Sequence, residues 1–319
     1  MAAVKNLSSD VRNLREPIKV SVAIIAYNVA NYIEEAIESV LTQNVDFPVE
    51  LVIGEDCSTD NTLEIALKYQ ELYPNIIRVL VPLKNQGLTP NGISTVDACR
   101  GEYIALLDSD DYWTDKDKLA YQIKILEENM NFAASSHQSI KIFDDEPTIR
   151  VPFGATIDGV YTVRDMITHR KFHTSSFVFR RCHWVSSGGI PSTISSNERA
   201  LFPMIAIYGN IHYSSKSMCV YRFTGFGLSS RIEFRELESD LHMLPWLKLL
   251  APEFPVHKFR SFLHRCIYTY GTKKIPFHYL LKHYLLFTFY SFSYFPGNFR
   301  DLRWGAIEFY KRGRLNNKR

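Results

Sequence analysis

Apolar and polar positions divide the first 110 residues into strand-like runs and helical stretches that alternate. Val20 to Tyr27, VSVAIIAY, is a β-branched, apolar run suited to a strand covered on both faces, and it stops at Asn28. Ile33, Ile37, Val40 and Leu41 then recur at helical intervals, behind an Asn31 to Glu34 pair with capping-box spacing. A short strand over Glu50–Gly54 and a helix from Asn61 to Tyr73, ended by Pro74, come next. Ile76–Val81 reads as the third strand, and Leu88–Arg100 as a helix with Pro90 near its start. Three such alternations predict a right-handed, mainly parallel, doubly wound α/β sheet.

The fourth apolar run, Tyr103 to Leu107, ends abruptly in Asp108, Ser109, Asp110 and Asp111. Carboxylates crowded in this way repel one another, and a hard divalent cation is what makes their cluster favourable. Open α/β sheets place their ligands at this end of a buried strand. A turn and helix start, with Thr114 and Asp117 at capping-box-like spacing, accounts for one or two of the acids.

Beyond Trp113 the order changes. A helix is expected over Lys118–Met130, with Leu119, Ile123 and Leu126 on one face, and a strand over Phe132–Phe143. Asp144–Gly159, rich in Pro, Asp and Gly, reads as a loop. Ser175–Arg180 is strand-like, Asn197–Tyr208 helical and Ile211–Phe223 strand-like, before a flexible segment marked by Gly225 and Gly227. A catalytic domain over 1–235 is expected, with a nucleotide-binding half at about 18–130 and an acceptor half at about 131–235, followed by a helical C-terminal region over 236–319.

Composition adds limits. A chain of 319 residues, 46% hydrophobic and 22% charged, can bury a full core. Five scattered cysteines without a CxxC pair suggest neither zinc nor a disulfide framework, and point to a reducing cytosol. The first twenty residues lack the apolar core of a signal peptide, and no apolar run reaches membrane-spanning length. Charge is unevenly distributed. Residues 258–319 carry thirteen Lys or Arg against Asp301 and Glu308, hence 13 − 2 = +11, so a chain of net +3 leaves 3 − 11 = −8 for the rest. Within this tail, Tyr279–Phe295 (YLLKHYLLFTFYSFSYF) suits either an interfacial helix on an anionic membrane or a helical subdomain packed by its aromatics.

The AYN of Ala26–Asn28, the EDCSTDNT of Glu55–Thr62, the NQG of Asn85–Gly87 and the LDSDDYW of Leu107–Trp113 are each short, but their order on successive strand ends is specific. With these marks the chain, from about Val20 to Ser230, resembles a family 2 glycosyltransferase of the GT-A fold. The resemblance implies a Rossmann-like, mainly parallel sheet flanked by helices and followed here by the basic, aromatic helical tail. It implies that Ala26, Tyr27 and Asn28 border the donor's base, that Asp56 accepts from the N–H of a uracil-like ring, and that Asn85 belongs to the same donor site. In the DSD, it brings Asp108 to the ribose and the metal edge, and Asp110 to Mn²⁺ or Mg²⁺ across the diphosphate. Asp111 would support that shell or cap the next helix. Glu198, at the start of a helix, matches the family's general base, although the usual acidic pair is reduced to Asn197 and Glu198.

Tyr221–Ser229 is similar to the segment that closes over the diphosphate, with Arg222 as a phosphate contact; Thr224 stands where many relatives have a metal-binding His, which leaves a third ligand unassigned. His137 and His173 are acceptor-side candidates near expected strand ends. Each residue also has a plainer reading: an Asx-turn for Asp56 and Asp60, a favourable first-turn acid for Glu198, a surface ion pair for Arg222, and structural roles for the two histidines. The implied activity is inverting, metal-dependent transfer from a nucleoside diphosphate sugar, with UDP expected, to a hydroxyl of a glycan or lipid-linked glycan in cell-surface polysaccharide synthesis. It would take place in the cytoplasm, at the inner face of the plasma membrane, without nucleic acid. The rivals are a catalytically silent sugar-nucleotide or carbohydrate-binding scaffold of the same fold, and a nucleotidyltransferase. AYNVANY lacks the glycine and lysine of a nucleotidyltransferase's first loop.

Overall fold

A computed structural model describes residues 4–5, 17–168, 171–225, 234–270, 275–292 and 299–317. These fall into two compact units, the first within Met1–Thr162, Arg170–Gly189 and Tyr208–Thr224, the second within Val163–His169, Ile190–Ile207 and Gly225–Arg319.

The first unit begins with four strands, β1 (Val20–Ala26), β2 (Val49–Glu55), β3 (Ile77–Pro82) and β4 (Tyr103–Asp108), joined by helices α1 (Ile33–Leu41), α2 (Thr62–Leu72) and α3 (Leu88–Asp97). They pair in the order β3-β2-β1-β4, all parallel, so the winding reverses beside β1. The carboxyl ends of β1 and β4 therefore flank the crevice that a doubly wound sheet offers to ligands. Val20, Val22, Ile24 and Ala26 are buried together with Ile33, Ile37 and Val40 of α1, and Ser21 and Ala23 are buried on the other face, which is why this strand is apolar at nearly every position. Gly54 of β2 is required by close approach: a Cβ there would lie 1.9 Å from Thr95 Oγ1 of α3.

The chain continues through β5 (Tyr112–Trp113), α4 (Lys118–Glu128), β6 (Phe132–Phe143), β7 (Arg150–Phe153), β8 (Gly159–Tyr161), β9 (Val178–Arg180), α5 (Arg181–Ser187) and β10 (Asn210–Phe223). Strand β9 lies antiparallel between β4 and β6, β10 runs parallel to β6, and β5 closes antiparallel on β10. Three expectations change. Helix α1 starts at Ile33 behind Tyr32, with no side-chain cap, because Glu34 instead accepts from Tyr69 Oη at 3.0 Å. Ser175–Arg180 divides into a 3₁₀ turn over Thr174–Ser176 and the three-residue β9. The stretch read as a loop contains β7, antiparallel on β6.

The second unit is helical: α6 (Asn197–Ile207), α7 (Phe234–Ser239), α8 (Met243–Leu250), α9 (Val256–Tyr270), α10 (Phe277–Phe292) and α11 (Phe299–Asn317). Its core gathers Phe234, Leu237, Ile267, Tyr268, Ile275, Leu280 and Phe287. His264 and His283 are buried beside this core with their Nδ1 atoms 3.0 Å apart, and His283 Nε2 lies 2.9 Å from Glu238. Among the described residues, no helix is long and apolar enough to cross a membrane. Gly227 and residues 293–295 lie outside the described residues.

Candidate functional site

At the ends of β1 and β2 the backbone is fixed by side chains. Ala26 is buried, and its carbonyl accepts the Asp56 N–H at 3.0 Å; Tyr27 is exposed. Asn28 adopts φ 53°, a conformation Asn tolerates, and its Oδ1 accepts from Thr59 N at 2.8 Å. Asp60 Oδ1 accepts from Thr62 N at 3.0 Å, the Asx-turn expected there. Buried Asp56 accepts from Gln86 N at 2.7 Å and Gly87 N at 2.8 Å, while Asn85 Nδ2 donates to the Asp56 carbonyl at 2.8 Å. Gly87 (φ 84°) lets the chain turn across this carboxylate into α3. Burial raises the pKa of Asp56 and the two N–H bonds pull it back.

The acidic loop after β4 is built from within. Asp111 is buried; its Oδ1 accepts from Arg222 N at 2.8 Å and its Oδ2 from Ser175 Oγ at 2.5 Å. Ser175 Oγ in turn accepts the Asp108 N–H at 3.0 Å. His173 is also buried, with Nδ1 3.1 Å from Asp111 Oδ2 and Nε2 3.7 Å from Asp108 Oδ2. Asp108, Asp111 and His173 thus offer three ligand atoms within 4.8 Å of one another. The Asp108 side chain is 41% exposed, which leaves it open to an incoming group. Burial, then the charges of Asp108 and Asp110, push the Asp111 carboxyl well above its ordinary pKa. Asp110 stands outside the three-residue group; burial raises its pKa, and its carbonyl accepts from Arg222 Nε at 3.0 Å.

The turn that delivers His173 and Ser175 is held from behind. Trp113 Nε1 donates to Ser175 O at 2.8 Å and Gln122 Nε2 to Ser176 O at 2.9 Å. The imidazole of His173 stacks on Tyr221 at 4.0 Å. Lys118 is wholly buried, with Nζ 2.7 Å from Gln122 Oε1 and 4.0 Å from the centre of the Trp113 ring. Burial lowers its pKa from 10.5 to about 7. Between pH 7 and 10.5 the unfolded chain then binds a proton here that the folded chain does not, so stability rises with pH across that window. Denaturant titrations of wild type at several pH values between about 7 and 10 are expected to slope upward, and Lys118→Met to flatten the slope.

Arg222 is heavily engaged: its guanidinium pairs with Glu35, lies 3.6 Å from Asp144 and covers Tyr32 at 5.0 Å. The acceptor-side candidates separate. His173 sits against the acidic loop, whereas His137 is buried in β6, its Nδ1 2.8 Å from Gln138 O and burial holding its pKa well below the ordinary value.

Glu198 belongs to the second unit, in the first turn of α6, while Ala200 to Ala206 of that helix are buried. The turn is anchored by Asp240, which is buried and accepts from Ser195 N at 3.2 Å and Ser196 N at 3.0 Å, and pairs with Arg199 Nη1 at 2.9 Å. Sequence reasoning did not single out Ser175 or Asp240. Their partners lie 64 and about 45 residues away in the chain, and no local pattern signals them.

The sequence matches the profile described as Glycosyl transferase family 2 over residues 21–187, just over half of the chain. An uncharacterized protein of Mycobacterium tuberculosis (strain H37Rv) is 32% identical over 210 residues, 65% of this chain and 60% of its own length. TuaG of Bacillus subtilis, named for teichuronic acid biosynthesis, is 34% identical over 142 residues, 44% of this chain and 55% of TuaG. The chain therefore spans little more than half the length of these relatives. Among solved structures, S. aureus TarS 1-349 in complex with UDP-GlcNAc aligns with a TM-score of 0.68 at 19% identity, covering 94% of this chain and 91% of TarS 1-349. At that identity the likeness is one of fold.

Proposed function

The chain belongs to glycosyl transferase family 2, and from that premise we propose that it is an inverting, metal-dependent enzyme moving a sugar from a UDP-sugar to a hydroxyl of a glycan or lipid-linked glycan in cell-surface polysaccharide synthesis. The observation that carries this reading is the group of Asp108, Asp111 and His173 at the carboxyl end of β4, beside the switch point of the sheet. The UDP donor is supported by the complex of TarS with UDP-GlcNAc, and the polysaccharide context by the role for which TuaG is named.

The donor atoms fit a divalent cation. The far nitrogen of the His173 imidazole lies 3.1 Å from the buried Asp111 carboxylate and 3.3 Å from Ser175 N; with the ring proton on that nitrogen and directed at Asp111, Nε2 would join the exposed Asp108 carboxylate as a ligand. Asp108 and His173 Nε2 would hold Mn²⁺ or Mg²⁺, with Asp110 as the further ligand that the family resemblance adds. When bound, the cation supplies positive charge where the departing diphosphate gathers negative charge.

The protein's own groups do the rest. Asp56 retains acceptor capacity beyond its two backbone bonds and orients the base at the end of β2, next to Ala26, Tyr27, Asn28 and Asn85. Asp108 also faces the ribose, and Arg222 steadies the acidic loop through Asp110 and Asp111. The Glu198 carboxylate takes the proton from the acceptor hydroxyl, whose oxygen attacks the anomeric carbon opposite the leaving diphosphate. The carbon–oxygen bond to the diphosphate breaks as the new one forms, so configuration inverts. Asp240 is a positioning residue for Glu198. Asp240→Ala is expected to lower kcat by about a hundredfold or less with UDP affinity unchanged, the pattern of a displaced base.

Thermal unfolding of the purified chain with Mn²⁺ and a panel of nucleotide sugars tests the whole reading. A UDP-sugar at about a hundred times its Kd should add about 2.7 kcal/mol of stability, and its UDP should be released on incubation with acceptor or water. Stabilisation by no UDP compound, together with no turnover, rejects the proposal.

A further inference from the structure

The tail is not absorbed by donor binding or transfer, and its longest apolar helix has an unusual distribution of side chains. On one side of α10, Leu280, His283, Phe287 and Ser291 are buried in the second unit. The other side carries Phe277, Leu281, Leu285, Phe289 and Phe292, spaced by four, four, four and three residues, which aligns them along one face. They are exposed by 60%, 37%, 56%, 69% and 59%. A helix that is apolar on both sides is normally covered on both. The stripe runs the length of a 16-residue helix, about 24 Å. Sixteen residues fall short of the roughly twenty needed to span a bilayer, so the helix would lie along a membrane rather than cross it.

The charge identifies what covers it. Residues 258–319 carry +11, and on α10 itself Lys282, 53% exposed and 3.1 Å from Glu238, borders the stripe. Helix α11 adds exposed Trp304, Ile307 and Tyr310, at spacings of three, with exposed Arg303 and Lys311 beside them, the latter 2.9 Å from Glu308. Apolar and aromatic side chains among basic residues match an anionic headgroup layer over acyl chains, where the rings enter the interface and the cations meet phosphate.

We propose that the Phe277–Phe292 face of α10, with its basic surroundings, is an interfacial docking surface for anionic lipid. It names the partner surface for a lipid-linked acceptor and in that respect rests on the function proposed above; the binding itself stands on the exposed faces of the two helices and the charge of the tail.

The test is flotation of the full chain with phosphatidylglycerol-containing vesicles and with pure phosphatidylcholine vesicles. Wild type should float with the anionic vesicles, less so as salt rises. The double variant Leu285→Glu, Phe289→Glu should lose at least about tenfold in vesicle affinity. Since both side chains face solvent, its thermal unfolding and UDP binding should match wild type, which separates this proposal from the donor-site reading. Wild type that stays off anionic vesicles at low salt overturns the proposal, as does a variant that floats equally well. If light scattering finds a dimer that the variant converts to monomer while vesicles capture neither, the stripe is a contact between copies and lipid docking is refuted.

Discussion

Glu198→Gln should reduce sugar transfer by roughly 10²–10⁴-fold in kcat while UDP still binds with wild-type affinity. The substitution keeps the size of the side chain and its place in the first turn of α6, and removes the basicity needed to take a proton. The anchor beneath it is untouched, because Asp240 bonds Ser195, Ser196 and Arg199 and not Glu198 itself. Stability should therefore move by only a few tenths of a kcal/mol, the usual size of a first-turn acid on a helix dipole. Rates of UDP release with acceptor, read beside calorimetric UDP binding, distinguish the possibilities. Unchanged turnover would exclude Glu198 as the base. Absence of turnover in the wild type as well would favour a silent scaffold of the same fold.

The second large effect is expected at the cation. Asp108→Asn combined with His173→Ala should weaken Mn²⁺ binding by about a hundredfold, since a ligand and the imidazole beside it are both lost. Free aquo-Mn²⁺ followed by electron paramagnetic resonance measures this without turnover. Asp111→Asn, which leaves both of those ligands in place but removes the charge and one of the two acceptor oxygens behind His173, should cost about ten- to a hundredfold. The Asp108→Asn variant alone controls for folding, its side chain being substantially exposed. Retention of full affinity by the double variant would move the cation away from His173 and leave Asp110 to hold it.

The four parallel strands could be read from the sequence because each is buried on both faces and mostly apolar, interrupted only by Ser21 in β1, Glu50 in β2 and Arg78 in β3, which are themselves buried. The acidic loop could be read for a related reason: charge repulsion at a strand tip has few structural uses. The sharing of work within that loop could not. Asp111 is adjacent to Asp110 in sequence, yet it is the one enclosed by Ser175, His173 and the Arg222 amide, contacts reaching across 62 to 111 residues. His173 looked like an isolated histidine because the 3₁₀ turn it caps, where its carbonyl accepts from Ser176 Oγ at 2.6 Å, is also held from a distance by Trp113 and Gln122. The strand β7 was hidden by its Pro152 and by polar surroundings, which suit an edge strand as well as a loop.

Arg222 gives the end of β10 a mechanical meaning. Its amide holds Asp111, its guanidinium grips Asp110 and Glu35, and Gly225, at φ 71°, follows three residues later. Strand end and carboxylate loop are thus joined at one residue, by its main chain and its side chain at once. Displacing the Arg222 amide would therefore remove a hydrogen bond from Asp111 itself, the carboxylate against which His173 rests.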